Sequence, residues 1–215
     1  LYLCVKSIIE KCEESFTICI IDDKSFDKLV PDWSIQMNRI STPVLEKVRA
    51  LGLMKLLYTY GGMLCPVSFL CMKDLIGLYE QGTTAGGSGF FACETNNHNV
   101  TNQQLLFYPN IMFSGATKEN ETVEEFIHYI QHLISSDYTA ESVFLGEMNS
   151  WLQENKQVKK INGMEIGVKA RDDTPILLED LISQKPLNLY PGTYGILIPS
   201  GEILSRRKYE WFARL

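Results

Sequence analysis

The sequence predicts an α/β fold: a single domain over residues 1–215 with a mixed sheet flanked by helices. Three observations predict it. Short β-branched or aromatic runs alternate with segments of helical period. The first such run, residues 16–21, stops at Asp22-Asp23, and ligands of open α/β sheets bind beyond the carboxyl ends of the strands. A long apolar segment, residues 43–60, ends at Gly61-Gly62 and leads directly into another apolar run. The connections are too irregular for a regular barrel.

Residues 1–14 place Leu3, Cys4, Ile8, Ile9 and Cys12 at helical spacing, which predicts a helix. Residues 16–21 (Phe-Thr-Ile-Cys-Ile-Ile) read as a buried strand. A short helix is expected over 24–30, stopped by Pro31. In the helix over 43–60, Thr42 is the candidate cap and Pro43 suits the first turn. Its apolar residues cover most of the circumference, so it should be buried on more than one side. Residues 63–65 and 68–70 read as short strands separated by Pro66, and 73–80 as a helix. Strands follow at 90–93, ending at Glu94, and at 111–115. Residues 121–135 form an amphipathic helix with Val123, Phe126, Ile127, Ile130, Leu133 and Ile134 on one face. A second helix is expected over 139–153 and a last clear strand over 195–199. No internal repeat is visible.

Hydrophobic residues make up 45% and charged residues 21%, which excludes a disordered tail or a fibrous repeat. The net charge of -6 argues against a nucleic-acid partner held by phosphate contacts. Of the six cysteines, none forms a CxxC pair or stands at zinc-like spacing from a histidine. Buried free thiols are expected, including Cys19 within its apolar run, and they favour a reducing, cytoplasmic setting. There is no signal peptide and no apolar run long enough to span a membrane, although both ends read as trimmed. Residues 84–89 resemble a flexible linker of the kind an engineered loop replacement leaves. Asn99-Val100-Thr101 and Asn120-Glu121-Thr122 fit the glycosylation acceptor pattern.

The segment Leu56-Leu57-Tyr58-Thr59-Tyr60-Gly61-Gly62-Met63-Leu64 resembles the signature of the DxD sugar-binding-region glycosyltransferases, the capsular polysaccharide and initiating mannosyltransferase type. The resemblance implies a GT-A-like nucleotide-sugar fold. In it the glycine pair lets the backbone approach the donor, and two Asp residues hold a divalent cation against the diphosphate. A hard cation there stabilises the charge that develops on the leaving group. Laid over this chain, the pattern puts Pro66-Val67-Ser68 in place of Asp-x-Asp, and Arg49, Ala50 and Leu53 where the family carries Ser, Asp and Arg. The scaffold is kept and its polar constellation is lost. Asp22-Asp23 and Asn110 through Ala116 extend the likeness more faintly, over roughly residues 1–150.

Under that resemblance, Asp22, Asp23, Tyr60, Gly61, Gly62 and Ser68 are the candidate donor-binding residues and Glu94 the candidate catalytic carboxylate. His98 is a candidate assistant. Arg206 and Arg207, with Lys208 beside Tyr209, Trp211 and Phe212, are cations able to replace the missing metal at a diphosphate. Each has a plainer reading: helix-end packing for Tyr58 to Gly62, solvated loops for Asp22, Asp23 and Glu94, and an amphipathic terminal helix for Arg206 to Phe212. His128 and His132, spaced i,i+4, read as an exposed helix face, and Lys159-Lys160 as a solvated pair. Two functions follow. One is a glycosyltransferase-like protein that moves a sugar from a nucleotide-sugar donor to a glycan or protein acceptor without a DxD-bound metal. The other is an inactive pseudo-glycosyltransferase that acts as a binding or assembly module with a protein partner.

Overall fold

A computed structural model describes residues 1–84, 87–96, 106–136, 141–183, 186–199, 201 and 203, with the backbone alone at 141 and 142. In chain order the elements are α1 (Tyr2–Cys12), α2 (Phe26–Leu29), α3 (Val44–Tyr60), β1 (Gly62–Leu64), β2 (Phe69–Cys71), α4 (Ile76–Thr84), β3 (Phe90–Asn96) and β4 (Phe107–Ala116). They continue with α5 (Glu121–Ser136), α6 (Glu141–Glu154), β5 (Lys159–Ile161), α7 (Leu178–Leu181) and β6 (Gly195–Leu197). The chain divides into two compact units. One holds residues 19–64 and 79–161; the other holds 1–18, 65–78 and the chain from 162 on.

The first unit is built on a four-stranded sheet of order β1-β4-β3-β5. Both β1 and β3 run antiparallel to β4, and β5 runs parallel to β3. Strands β1, β3 and β5 therefore point the same way and share one carboxyl edge. The amino-terminal half of β3, Phe90 to Cys93, is wholly buried, as expected of a strand covered on both faces. Helix α3 explains why its apolar residues run all round it. Ala50, Leu51, Met54 and Leu57 pack with α5, α6 and the sheet. Val48 and Leu56 pack on the opposite side against Phe26, Val30 and Met37. Each such side chain removed from water contributes on the order of 1.5–3 kcal/mol. Buried Lys47 lies on the same helix, its ammonium 5.1 Å from the Phe144 ring centroid.

Buried Asn120 caps α5. Its Oδ1 accepts the N–H groups of Thr122 and Val123 at 3.1 and 3.2 Å, and its Nδ2 donates to Ser88 O at 2.6 Å and Thr117 Oγ1 at 3.1 Å. A glycan on that nitrogen is incompatible with this buried cap, so the Asn120 acceptor pattern is occupied by folding; Asn99 lies outside the described residues. The linker-like stretch is tied in at its end as well. Ser88 Oγ donates to Gln157 O at 3.0 Å, and Gly89, at φ +85°, accepts the Thr117 N–H at 2.9 Å.

The second unit contains the antiparallel pair β2-β6, with α1 packed on β2. Ser7 Oγ accepts the Cys71 N–H at 2.9 Å and itself donates to Cys4 O at 2.7 Å, which ties the helix to the strand.

Three expectations are corrected. Residues 16–21 form no strand: Cys19 and Ile20 are exposed and no ladder partner takes up the run, because β propensity needs a neighbouring strand to be realised. Cys19 is accordingly not one of the buried thiols, whereas Cys4, Cys12, Cys71 and Cys93 are. Thr42 does not cap α3; Pro43 holds the cap position without a side-chain hydrogen bond. No described helix is long and apolar enough to cross a membrane.

Candidate functional site

The turn from α3 into β1 sets the geometry. Gly61 closes the helix with its N–H on Leu57 O at 2.8 Å and adopts φ +69°, ψ -160°. Gly62 follows at φ +88°. The turn carries the chain from α3 directly into β1.

In the first half of α3, Arg49 grips Asp23 in a two-pronged contact, Nε to Oδ1 at 2.7 Å and Nη2 to Oδ2 at 2.6 Å, while Nη1 engages Glu46. The guanidinium holds the Asp23 carboxyl below the usual carboxylate range, and Asp23 in turn holds the Arg49 proton more firmly. Asp22 is held low by the Ser25 hydroxyl, which donates to Oδ1 at 2.6 Å, and by the Lys24 N–H. Asp22 is thus engaged within its own loop, and Asp23 by Arg49 of α3. A cation on Asp23 would have to displace Arg49. Among the described residues, no group of three or more metal-capable side chains comes together.

The Asp23–Arg49 pair carries a pH signature. The Asp23 folded pKa is depressed, so its contribution is present above the unfolded value near about 4 and is lost as pH falls through the folded value. Both side chains remain more than a third exposed, Arg49 at 35% and Asp23 at 37%, so solvent screening keeps the effect below about 1 kcal/mol. Arg49→Met is expected to lower the urea midpoint near about pH 7 and to leave it unchanged once the pH is well below the lowered Asp23 value, where the carboxyl is protonated in both states. An equal loss at both pH values would show that the side chain acts by packing instead.

On the sheet side, Leu64 and Ala92 both face Ser114 of β4, one strand apart on either side. They are about 10 Å apart across β4. Glu94 follows Ala92 by two residues toward the carboxyl edge of the sheet and is half-buried. Between Ala92 and Cys93 the pairing slips, and Cys93 faces Asn110 rather than Phe113. This bulge is closed by the buried Ser114 hydroxyl, which donates to Ile111 O at 2.7 Å. Bulges of this kind re-aim the residues that follow them. Here the next residues are Glu94, Thr95 and Asn96. Asn110 Nδ2 reaches Thr95 Oγ1 at 3.3 Å, and Tyr108, directly across from Thr95, carries a buried hydroxyl that finds no hydrogen-bond partner among the described residues.

The expected residues are therefore distributed as follows. Asp22, Asp23, Tyr60, Gly61, Gly62 and Glu94 belong to the unit with the four-stranded sheet. The exposed Tyr60 donates its hydroxyl to Leu29 O at 2.7 Å. Ser68 belongs to the other unit and is buried, its carbonyl accepting the Ile198 N–H at 3.1 Å. Arg206, Arg207, Lys208 and His98 lie outside the described residues, as do Tyr209, Trp211 and Phe212. His128 and His132 are on the exposed face of α5. Lys159 and Lys160 are strand residues of β5, and their ammonium groups donate to Gln81 O and Asn155 O. Sequence reasoning missed the Arg49–Asp23 clasp and the Thr95–Tyr108–Asn110 group. The first had a signal in the charged residues of an otherwise apolar helix; the second depends on strand register and had none. No protein-family model, curated protein or solved structure matches the chain.

Proposed function

We propose that this chain is a glycosyltransferase-like domain that receives a nucleotide-sugar donor at the carboxyl edge of β1, β3 and β5 without a carboxylate-held metal. The observation that carries the reading is the α3–Gly61–Gly62–β1 turn, which belongs to the recognisable signature and feeds a strand parallel to the one bearing Glu94. Glu94 is the acid–base candidate beyond the bulge. The Tyr108 hydroxyl, buried without a partner among the described residues, supports a polar occupant, since leaving such a group unmatched costs on the order of 1–3 kcal/mol. Arg206 and Arg207 are the cations this reading assigns to the diphosphate, and a glycan or protein is the acceptor.

A second reading, the inactive pseudo-glycosyltransferase, is favoured by the closed Asp23–Arg49–Glu46 network, which sets two carboxylates against one guanidinium. That balance disfavours a bare diphosphate. Titration calorimetry with uridine and guanosine diphosphates, in chelator and in manganese, tests both. The first reading expects binding unchanged by chelator, weakened at least about tenfold by the pair Arg206→Ala/Arg207→Ala. It also expects donor turnover that falls about a hundredfold in Glu94→Gln. Binding without turnover of any nucleotide sugar selects the second reading, and no binding at all removes the donor site from both.

A further inference from the structure

We propose that Cys12 and Cys71 are a disulfide-forming pair that locks α1 onto β2 when the protein meets a small-molecule disulfide oxidant such as oxidised glutathione. The two sulfurs lie 3.9 Å apart and both residues are buried, Cys12 at 2% and Cys71 at 3% exposure. They belong to the same compact unit, Cys12 ending α1 and Cys71 ending β2. The surroundings already hold the two elements in place. Ser7 Oγ takes the Cys71 N–H, and Ser15 near the end of α1 donates its hydroxyl to Asp74 just past β2. Bond formation needs the sulfurs to approach by about 2 Å, within the reach of side-chain rotation and a small helix shift. Among the described residues, the carbonyl contact that Cys71 Sγ gives up is a weak thiol hydrogen bond to Lys73 O at 3.0 Å.

The chemistry balances as a double exchange. The Cys12 thiolate attacks one sulfur of oxidised glutathione and releases a glutathione thiolate. The Cys71 thiolate then attacks the Cys12 side of the mixed disulfide and releases the second. Two protein thiols lose their protons and two electrons, and the glutathione disulfide is reduced to two thiols. Burial pushes the Cys71 thiol up to about 12, so the thiolate is scarce in the closed protein and the exchange is slow. It proceeds through partial release of α1, whose amino-terminal residues Leu1, Tyr2 and Leu3 are exposed and whose first turn lacks a side-chain cap. Cys65 and Cys4 are the neighbouring thiols that compete, and Cys65 is raised by its own burial as well as by Cys71, Cys12 and Cys4. Because the bond joins positions 59 residues apart, it constrains the unfolded chain strongly.

The full chain is incubated in graded mixtures of reduced and oxidised glutathione, trapped with an alkylating reagent in denaturant, and mapped by peptide mass spectrometry. The expected product is a single Cys12–Cys71 linked peptide. With it, amide exchange in α1 slows on the order of a hundredfold or more, and dithiothreitol reverses the change. Cys12→Ser and Cys71→Ser each abolish the slowing, and Cys4→Ser leaves it intact. The mapping on the unaltered chain decides the matter even if a serine variant fails to fold. A dominant link through Cys4, Cys19 or Cys65, a mixed glutathione adduct that persists, no link in fully oxidised glutathione, or a link that leaves α1 exchange unchanged would each overturn the proposal.

Discussion

Gly61→Val is expected to lower folding stability by about 3–5 kcal/mol, among the largest single-residue effects in the chain. Two costs add. At φ +69°, ψ -160°, Gly61 occupies backbone space that is essentially closed to side-chain-bearing residues, worth about 1–3 kcal/mol. A Cβ there would also stand 2.7 Å from Lys118 N and 3.2 Å from Ala116 O. These are backbone atoms where β4 ends, so they cannot swing aside as a side-chain tip would. Gly62 is the internal control: its φ is +88°, yet a Cβ on it meets nothing within 4 Å. Gly62→Ala should therefore cost the backbone strain alone, about 1–3 kcal/mol, and Gly61→Ala should cost clearly more. Urea midpoints of the three variants measure this. Equal losses for Gly61→Ala and Gly62→Ala would mean that the close approach of α3's end to β4 is not what places β1.

The same turn shows what the sequence made legible. A helix of apolar residues running into Tyr-Gly-Gly could be read directly, because only glycine allows a helix to stop and reverse in two residues, and every boundary of α3 and β1 came within a residue or two. Helices α5 and α6 were legible for the same local reason, a 3.6-residue period that needs no knowledge of the partner. Strands fared differently. Residues 16–21 have better β chemistry than Lys159–Ile161, yet the latter form β5 and the former form no strand. What decides is a free edge at the right height, here the edge of β3 opposite Lys159 to Ile161, and that is set by residues about 70 positions away.

The candidate site was legible in its scaffold and obscure in its polar groups. Asp22 and Asp23 could be named as acids after an apolar run, but not that Arg49 holds Asp23, since the partner lies 26 residues on in a helix read for its apolar faces. Glu94 could be named, but the bulge that precedes it comes from extra residues in β4. The burial of Lys47 was likewise hidden, because the Phe144 ring that its ammonium faces comes from α6, nearly a hundred positions away. The cysteines make the same point. Their spacing gives no motif, and Cys12 meets Cys71 only because α1 packs on β2.

Phe91→Ala is the second large expected effect, about 3–5 kcal/mol, and its partner glycine makes it a test of packing rather than of hydrophobicity. Phe91 is fully buried in β3, with Tyr79 edge-on at 6.4 Å between ring centroids. Two glycines make room for its ring. A Cβ on Gly115, its ladder partner in β4, would stand 2.5 Å from the ring; one on Gly82 in α4 would stand 2.2 Å away. For Gly82 the three nearest atoms all belong to that ring, so the clash has a single source. With Phe91 present, Gly82→Ala should cost about 1–3 kcal/mol through overpacking. With Phe91→Ala the obstruction is gone, the new methyl fills part of the cavity, and alanine is the better helix former by about 0.5–1 kcal/mol. The same substitution should then be stabilising. The double-mutant cycle thus predicts a change of sign, with a coupling of about 2 kcal/mol or more read from urea midpoints of the four proteins. Additive losses would mean that α4 does not rest on Phe91, and that the helix is positioned by something other than the slot these glycines leave.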